Sequence, residues 1–171
     1  NLASHHWMLG MFHSQAQDMI WTKDANALIA SSFVFPAGRA RKVEGGYRLH
    51  GRWPFSSGVD SCAWNMLAGI VSSDDEADGI EYRIFLLPRQ DYKIVDMWNA
   101  AGLKGTGSND VAVDDAFVAD SMSISVADIA GGWGDFDRAE SGASFHGRLC
   151  EEDSRGASEG ISGAHLLFCA Q

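Results

Sequence analysis

The sequence predicts a mainly β protein in which one helix precedes a β-barrel. Apolar residues recur at three- and four-residue spacing only in the first segment, between Ser4 and Trp21. Beyond Asp24, short apolar runs alternate with turn signals up to about residue 120, a pattern typical of a barrel or a sandwich. Hydrophobic residues make up 46% of the 171 residues, so the chain can form such a core.

A single helix is expected over residues 4–22. Ser4 is a suitable N-cap, because its hydroxyl can accept from a free backbone N–H of the first turn. The apolar face of this helix would carry Met8, Phe12, Ala16, Met19 and Ile20.

The strands are predicted from the apolar runs and from the turns between them. Glu44-Gly45-Gly46 predicts a hairpin, because the glycine pair can supply positive φ. An acidic turn is expected at Ser72–Asp78. The predicted strands are Leu28–Phe35, Arg39–Val43, Tyr47–Leu49, Arg52–Phe55, Cys62–Val71, Glu81–Leu87, Tyr92–Val95 and Asp110–Val118.

The composition changes near Gly131. Residues 131–171 are rich in Gly, Ser and acidic residues, and they hold one short apolar run, Ala164–Cys169. No helical or strand period persists there, so an irregular tail is expected.

Charge and cysteine content exclude several function classes. The chain has 13 Lys and Arg against 23 Asp and Glu, a net charge of −10, which disfavours nucleic acid as a partner. No apolar run is long enough to span a membrane, and no signal peptide is expected. The odd set Cys62, Cys150 and Cys169 lacks CxxC spacing, so we expect free thiols in a reducing cytoplasm.

Three segments carry motifs that are distinctive enough to compare with a protein family. They are Ser4-His5-His6-Trp7, the stretch YRLHGRWPFSSGVD at Tyr47–Asp60, and the stretch WNAAGLKGTGSNDV at Trp98–Val111. In this order they resemble the oxygenase components of two-component flavin-dependent aromatic monooxygenases, such as p-hydroxyphenylacetate 3-hydroxylase, which share the acyl-CoA dehydrogenase fold. The resemblance covers about residues 1–130. Lys104 stands where an Arg is common, and Ala119 where a Pro is usual.

The resemblance implies a domain organisation. Residues 1–25 would end an N-terminal helical domain, residues 26–130 would form the middle β-barrel domain, and residues 131–171 would be a tail foreign to the family. The C-terminal helical bundle of the fold would then be missing.

The resemblance also implies an activity: hydroxylation of a phenolic aromatic by reduced FMN or FAD and O2. A separate flavin reductase would supply the flavin, since no GxGxxG nucleotide fingerprint is present. The intact family forms homo-tetramers. Two alternatives stay open, an acyl-CoA dehydrogenase with bound FAD and a truncated, non-catalytic β-barrel fragment. The segment Trp-Pro-Phe-Ser-Ser-Gly at 53–58 differs from the Trp-Ile-Thr pattern of the dehydrogenases.

The predicted cofactor contact is Ser57, placed by the resemblance near flavin N5. Ser56 is the alternate if the alignment shifts by one residue. The competing interpretation is a Ser-Ser-Gly turn whose hydroxyls bond to the backbone. Trp53 and Phe55 would either wall the flavin or pack the barrel, as aromatic residues do in any core.

The predicted substrate contacts are His6 and Ser32. A phenol becomes a better ring nucleophile as its proton leaves, and imidazole suits that proton transfer or a hydrogen bond. His5 competes with His6 for this role, and a satisfied core histidine is the alternative for either. Ser32 matches a position that contacts substrate or flavin in relatives, or else it bonds to the backbone.

The remaining polar residues carry weaker expectations. Thr106, Ser108 and Asn109 would shape a turn near the flavin or a neighbouring subunit. No metal site is expected, because no carboxylate or cysteine completes a ligand set with the helix histidines.

Overall fold

The computed structural model describes residues 2–72 and 80–130. Most of the predicted acidic turn, and the whole predicted tail at residues 131–171, lie outside the described residues. Asn1–Val126 forms one compact unit. Within the described ranges, no helix combines the length and the apolar character needed to cross a bilayer.

The fold is mainly β, as predicted. Two helices, α1 (Leu2–Leu9) and α2 (Ser14–Trp21), precede the strands, and a short helix, α3 (Val126–Ala130), follows them. The eight strands are β1 (Ile29–Ser32), β2 (Gly38–Val43), β3 (Gly46–Ser56), β4 (Trp64–Ser72), β5 (Ile80–Pro88), β6 (Lys93–Val95), β7 (Asn109–Ala119) and β8 (Ser123–Ser125).

These strands form one sheet in the order β6-β7-β3-β2-β4-β5-β8. β1 and β2 lie on the same edge of β4 and run parallel to it, β1 beside Trp64–Leu67 and β2 beside Gly69–Ser72. The other pairings are antiparallel. β4 has strand neighbours on both edges, and its residues from Asn65 to Val71 are all buried.

The described sheet is open, whereas the sequence predicts a barrel. β6 and β8 stand at its two ends, and each has a single strand neighbour among the described residues. Each of these strands contains three residues, too few to close a barrel by pairing with each other along its length. β8 was not predicted, since Ser123–Ser125 has only one apolar residue.

The predicted strands Tyr47–Leu49 and Arg52–Phe55 form one strand, β3. His50-Gly51, which separates the two predicted strands, is a bulge: the pairing with β7 shifts between Leu49 and Gly51. Gly51 has φ +153°, and a Cβ there would meet the carbonyl oxygen of Ala37. The glycine therefore bends the strand without interrupting it.

The predicted single helix over residues 4–22 is wrong, because the chain breaks between α1 and α2. His13 caps α2, and its Nδ1 accepts from the Gln15 backbone N–H at 3.2 Å. The Gln17 amide donates to the carbonyls of Gly10 and Phe12, at 3.2 and 2.8 Å. These bonds satisfy carbonyls that the break leaves without helical partners. Because α1 begins at Leu2, Ser4 lies inside this helix instead of capping it.

Trp53 packs at the centre of the sheet and connects β3 to β2 and β4. Its side chain is fully buried, and its Nε1–H donates to the Ala68 carbonyl of β4 at 2.6 Å. Gly38 of β2 leaves the space for the indole, since a Cβ at that position would overlap the ring. One side chain of β3 thus contacts two other strands.

Trp53→Ala should lower the free energy of unfolding by about 3–5 kcal/mol, because it opens a large cavity and removes the partner of the Ala68 carbonyl. Urea denaturation of the chain measures this loss. Trp7→Ala is the matched control: Trp7 is exposed, and we expect its loss to cost less than about 1 kcal/mol. Equal losses in the two variants would contradict the assigned role of Trp53.

Candidate functional site

The motif Ser4–Trp7, the first of the three, is attached to β1 through His5. Its Nδ1–H donates to the Ile29 carbonyl, and its Nε2 lies 2.9 Å from the Ser31 hydroxyl. Since a carbonyl only accepts, a neutral His5 carries its proton on Nδ1 and accepts from Ser31 at Nε2. Burial lowers the pKa of His5 below its ordinary value of 6.5. His5 is therefore the satisfied core histidine that the sequence left as an alternative.

His6 occupies a more open position than His5. It is half-buried, and its Nδ1 accepts from the Trp21 indole N–H at 3.3 Å. The planes of the two rings are within 16° of parallel. A neutral imidazole that accepts at Nδ1 carries its proton on Nε2. His6 thus presents an N–H donor at its second nitrogen.

Ser32 links β1 to β3. Its hydroxyl is buried and donates to the Pro54 carbonyl at 2.6 Å. This is the backbone bond that the sequence analysis gave as the alternative to a ligand contact. The oxygen of Ser32 retains acceptor capacity only.

The end of β3 places the two neighbouring serines differently. Ser56 is fully buried, and its Oγ accepts from the Asn65 amide at 2.9 Å. Ser57 is half-buried, and its Oγ lies 2.9 Å from the Ser108 Oγ. Of the two, Ser57 is therefore the one accessible to a ligand.

Hydrogen bonds join the second motif, Tyr47–Asp60, to the third motif, Trp98–Val111, at this point. The Gly58 N–H donates to the Thr106 carbonyl at 2.8 Å. The Asn109 amide donates to Asp60 at 2.9 Å, and its carbonyl oxygen accepts from the backbone N–H groups of Met97 and Trp98, at 3.2 and 3.1 Å. Asn109 thereby fixes a loop that regular secondary structure does not hold.

An exposed apolar cluster borders these serines. Phe55 is 62% exposed and meets Trp98 edge to face, with ring centroids 6.3 Å apart. Phe55 and Leu103 both have positive φ, +63° and +54°, a conformation that costs a non-glycine residue about 1–2 kcal/mol. Such strain and such exposure of large apolar side chains are characteristic of ligand-binding sites.

Trp53 does not share this surface. It is fully buried and its N–H is used within the sheet, which favours core packing over a flavin wall. Among the described residues, no three His, Cys, Asp or Glu side chains lie close enough together to hold a metal ion.

Comparison with known proteins gives a consistent set of relatives. The chain is 45% identical over 114 residues to the flavin-dependent monooxygenase oxygenase subunit HsaA of Rhodococcus jostii, a match covering 67% of this chain and 29% of that protein. It is 38% identical over 117 residues to the oxygenase component of p-hydroxyphenylacetate 3-hydroxylase of Acinetobacter baumannii, covering 68% of this chain and 27% of that protein. No protein-family model matches.

This chain is a homologue of one segment of these oxygenase subunits. It spans less than a third of their length. The fold agrees as well: XiaF from Streptomyces, solved in complex with FADH2 and glycerol, superimposes with a TM-score of 0.69 at 29% identity, over 75% of this chain and 32% of that one. The structural neighbours have the acyl-CoA dehydrogenase-like fold.

The oxygenase-like segment has groups that fit a flavin. Phe55 offers an exposed aromatic face, which suits a flat ring system. Ser57 offers a half-buried hydroxyl beside it in sequence, held by Ser108. The sequence predicts that Thr106, Ser108 and Asn109 shape a turn near the flavin or a neighbouring subunit, but it does not predict their bonds to the Ser57–Asp60 segment. The Gly-Thr-Gly-Ser-Asn spacing was the available signal, because small polar residues in a loop form side-chain bonds.

The stability of the segment should fall on acidification below about pH 6.5, because His5 is buried as the neutral form. Its pKa is depressed in the folded state, so the unfolded chain binds the proton first and unfolding is favoured as the pH falls from 6.5 through the lower folded pKa. Urea midpoints at several pH values between 7.5 and 5 measure this.

His5→Asn is the comparison, because an amide can replace the Nδ1–H donor without titrating. We expect this variant to lose less stability between pH 7.5 and pH 5 than the parent. The same slope in both chains would show that other groups cause the acid sensitivity.

Proposed function

We propose that this chain supplies the flavin-facing and phenol-facing wall of the oxygenase component of an aromatic monooxygenase. Hydrogen bonds between the elements that carry the three motifs support the proposal. His5 joins α1 to β1, Ser32 joins β1 to Pro54, and Ser57 joins the end of β3 to Ser108. Three motifs distant in sequence are thus parts of one connected assembly.

The proposed flavin contacts are Ser57 and Phe55, with Ser56 and Trp53 as their buried support. Phe55 would lie against the ring system, where its strained backbone presents it to solvent. Ser57 would hydrogen-bond N5. When bound, reduced FMN or FAD would activate O2 for transfer to an aromatic ring. The protein contributes orientation and exclusion of water.

The proposed substrate contacts are His6 and Ser32. The Trp21 bond to Nδ1 favours a donor role for His6, because the proton of the neutral ring is then on Nε2. A donor at that nitrogen would stabilise the phenolate form of a substrate, in which the ring is more nucleophilic. Ser32 donates to Pro54, so toward a substrate it would act as an acceptor.

The relatives favour this function over the acyl-CoA dehydrogenase alternative. These relatives carry monooxygenase or hydroxylase names, including a FADH2-dependent resorcinol hydroxylase oxygenase component that is 36% identical over 132 residues. The motif at 53–58 also departs from the dehydrogenase pattern. The non-catalytic fragment remains the second candidate, since the chain covers 32% of the resorcinol enzyme component.

The whole protein's partners follow from the same proposal. A separate reductase would deliver the flavin, and the other reactants would be O2 and a small phenolic molecule. The assembly would be a homo-tetramer in the cytoplasm. Within each chain, residues 1–25 would end the helical domain, residues 26–130 would form the β domain and residues 131–171 would form the tail.

Reduced FMN or FADH2 should bind the chain, and Ser57→Ala should weaken that binding about tenfold, the effect of losing one hydrogen bond of about 1.4 kcal/mol. Anaerobic titration calorimetry measures both dissociation constants. Ser123→Ala is the control, because Ser123 is also a hydrogen-bonded serine but is located on β8. If the parent chain binds neither flavin, the proposed function is wrong and the non-catalytic fragment is favoured.

A bound phenol should ionise at lower pH than the same phenol in solution, because the Nε2–H of His6 stabilises the phenolate. Absorbance of p-hydroxyphenylacetate in the ultraviolet, recorded against pH with and without excess chain, measures the shift. We expect His6→Ala to abolish it and Trp21→Phe to reduce it, while Trp7→Phe leaves it unchanged. An undiminished shift in His6→Ala would remove His6 from the substrate site.

A further inference from the structure

Asn65 of β4 carries a buried polar atom that has no hydrogen-bond partner. Its side chain is fully buried, and its Nδ2 donates to Ser56 Oγ at 2.9 Å. Its Oδ1 is the one buried side-chain nitrogen or oxygen without a partner in the part of the chain that the structure describes. The residues opposite it on the two neighbouring strands, Ala30 and Leu87, have apolar side chains and supply no donor. A buried acceptor of this kind is normally paired with a protein group or with an ordered water.

One polar atom of Asn65 is left over in either orientation of the amide. If the amide were turned by 180°, its Oδ1 would accept from the Ser56 hydroxyl, and Nδ2 would become the atom without a partner. The unpaired group therefore follows from the position of Asn65 in the fold. A molecule that can both donate and accept hydrogen bonds would satisfy it in both orientations.

Ser56 places a donor next to this acceptor. Its Oγ accepts from Asn65, so its own hydroxyl proton is left for another acceptor. Ser56 is fully buried, as Asn65 is. A donor and an acceptor thus lie side by side where bulk solvent does not reach them.

Ser32 brings a third polar group to the same region. The pairing of β1 with β4 places Ser32 and Asn65 on one face of the two strands, two residues apart in register. Both side chains reach the end of β3, where Ser32 donates to the Pro54 carbonyl and Asn65 donates to Ser56. Because its proton is used in that bond, the Ser32 oxygen can still accept.

The end of β3 is irregular beside these groups. Between Trp53 and Ser56, β3 has two residues where β7 has only Asp110. An extra residue of this kind disrupts the ladder of hydrogen bonds. The side chain of Phe55, which is one of the two, is 62% exposed, so its ring does not fill the space behind the strand. The irregular ladder can therefore accommodate a small molecule that regular pairing would exclude.

We infer that Asn65, Ser56 and Ser32 bind one buried water molecule. The water accepts from the Ser56 hydroxyl, and it donates to Asn65 Oδ1 and to the Ser32 oxygen. These make three hydrogen bonds, which is about the number that a buried water in a protein forms. A cation fits less well, because the Ser56 hydroxyl offers it a proton and the set contains no carboxylate. This inference goes beyond the proposed function and does not depend on it.

The water connects the two sides of the proposed site. Ser32 is a proposed substrate contact, and Ser56 directly precedes Ser57, the proposed flavin contact. A water bonded to β1, β3 and β4 links these strands through side chains at the point where the ladder between β3 and β7 is interrupted. It thereby holds the end of β3 in place.

The first experiment counts internal waters in solution by oxygen-17 magnetic relaxation dispersion of the full chain. Asn65→Leu is the test variant, because leucine keeps the branched outline of the amide and has no polar atom. Ser123→Ala is the control: Ser123 donates to the Asp120 carbonyl and accepts from Arg83, so protein groups occupy its hydroxyl. We expect Asn65→Leu to hold one long-lived water fewer than the parent, and Ser123→Ala to hold the same number.

The second experiment is a crystal structure of the parent chain, which needs no variant. We expect an ordered water within hydrogen-bonding distance of both Asn65 Oδ1 and Ser56 Oγ. Equal water counts in the parent and in Asn65→Leu would overturn the inference, and so would a protein group paired with Oδ1 in the crystal. If Asn65→Leu does not fold, the crystal structure decides alone. Neither experiment uses flavin, so a chain that fails to bind flavin would contradict the proposed function and leave this inference standing.

Discussion

The position of the Trp53 indole is the constraint on which the rest of the structure depends. It lies between three strands, donates to the Ala68 carbonyl of β4, and occupies the space left by Gly38 of β2. β3 is thereby fixed against β2 and β4 three residues before its end. The serines at that end can present their hydroxyls at defined positions only because the strand that carries them cannot shift.

Tight packing stops abruptly beyond Trp53. Phe55, two residues later, is largely exposed and has a left-handed backbone, and Ser57 lies at the turn that follows. The change from a filled core to a strained, exposed aromatic surface occurs within a few residues. The Gly58–Thr106 and Asn109–Asp60 bonds hold the segment that follows directly after this change.

Polar side chains in this segment act mainly through the direction of their hydrogen bonds. The Ile29 carbonyl determines the proton position of His5, because a carbonyl can only accept from Nδ1. The Trp21 indole determines the proton position of His6, because its N–H donates to Nδ1. In both cases a group that can only donate or only accept removes the ambiguity of its neighbour. Two histidines adjacent in sequence thus carry their protons on different ring nitrogens.

The sequence alone determined the mainly β fold, the positions of most strands and the relation to flavin-dependent oxygenases, because alternating apolar runs, turn glycines and short motifs are local properties. It did not determine that α1 and α2 are separate helices, since the Gln17 bonds that stabilise the break reach back five and seven residues. It also left His5 and His6 equivalent. Only the tertiary structure separated them, by burying His5 against β1 and leaving His6 half-open beside Trp21. The reason is physical: a hydrogen bond between residues 24 to 51 positions apart depends on how strands pack, and no local pattern encodes that distance.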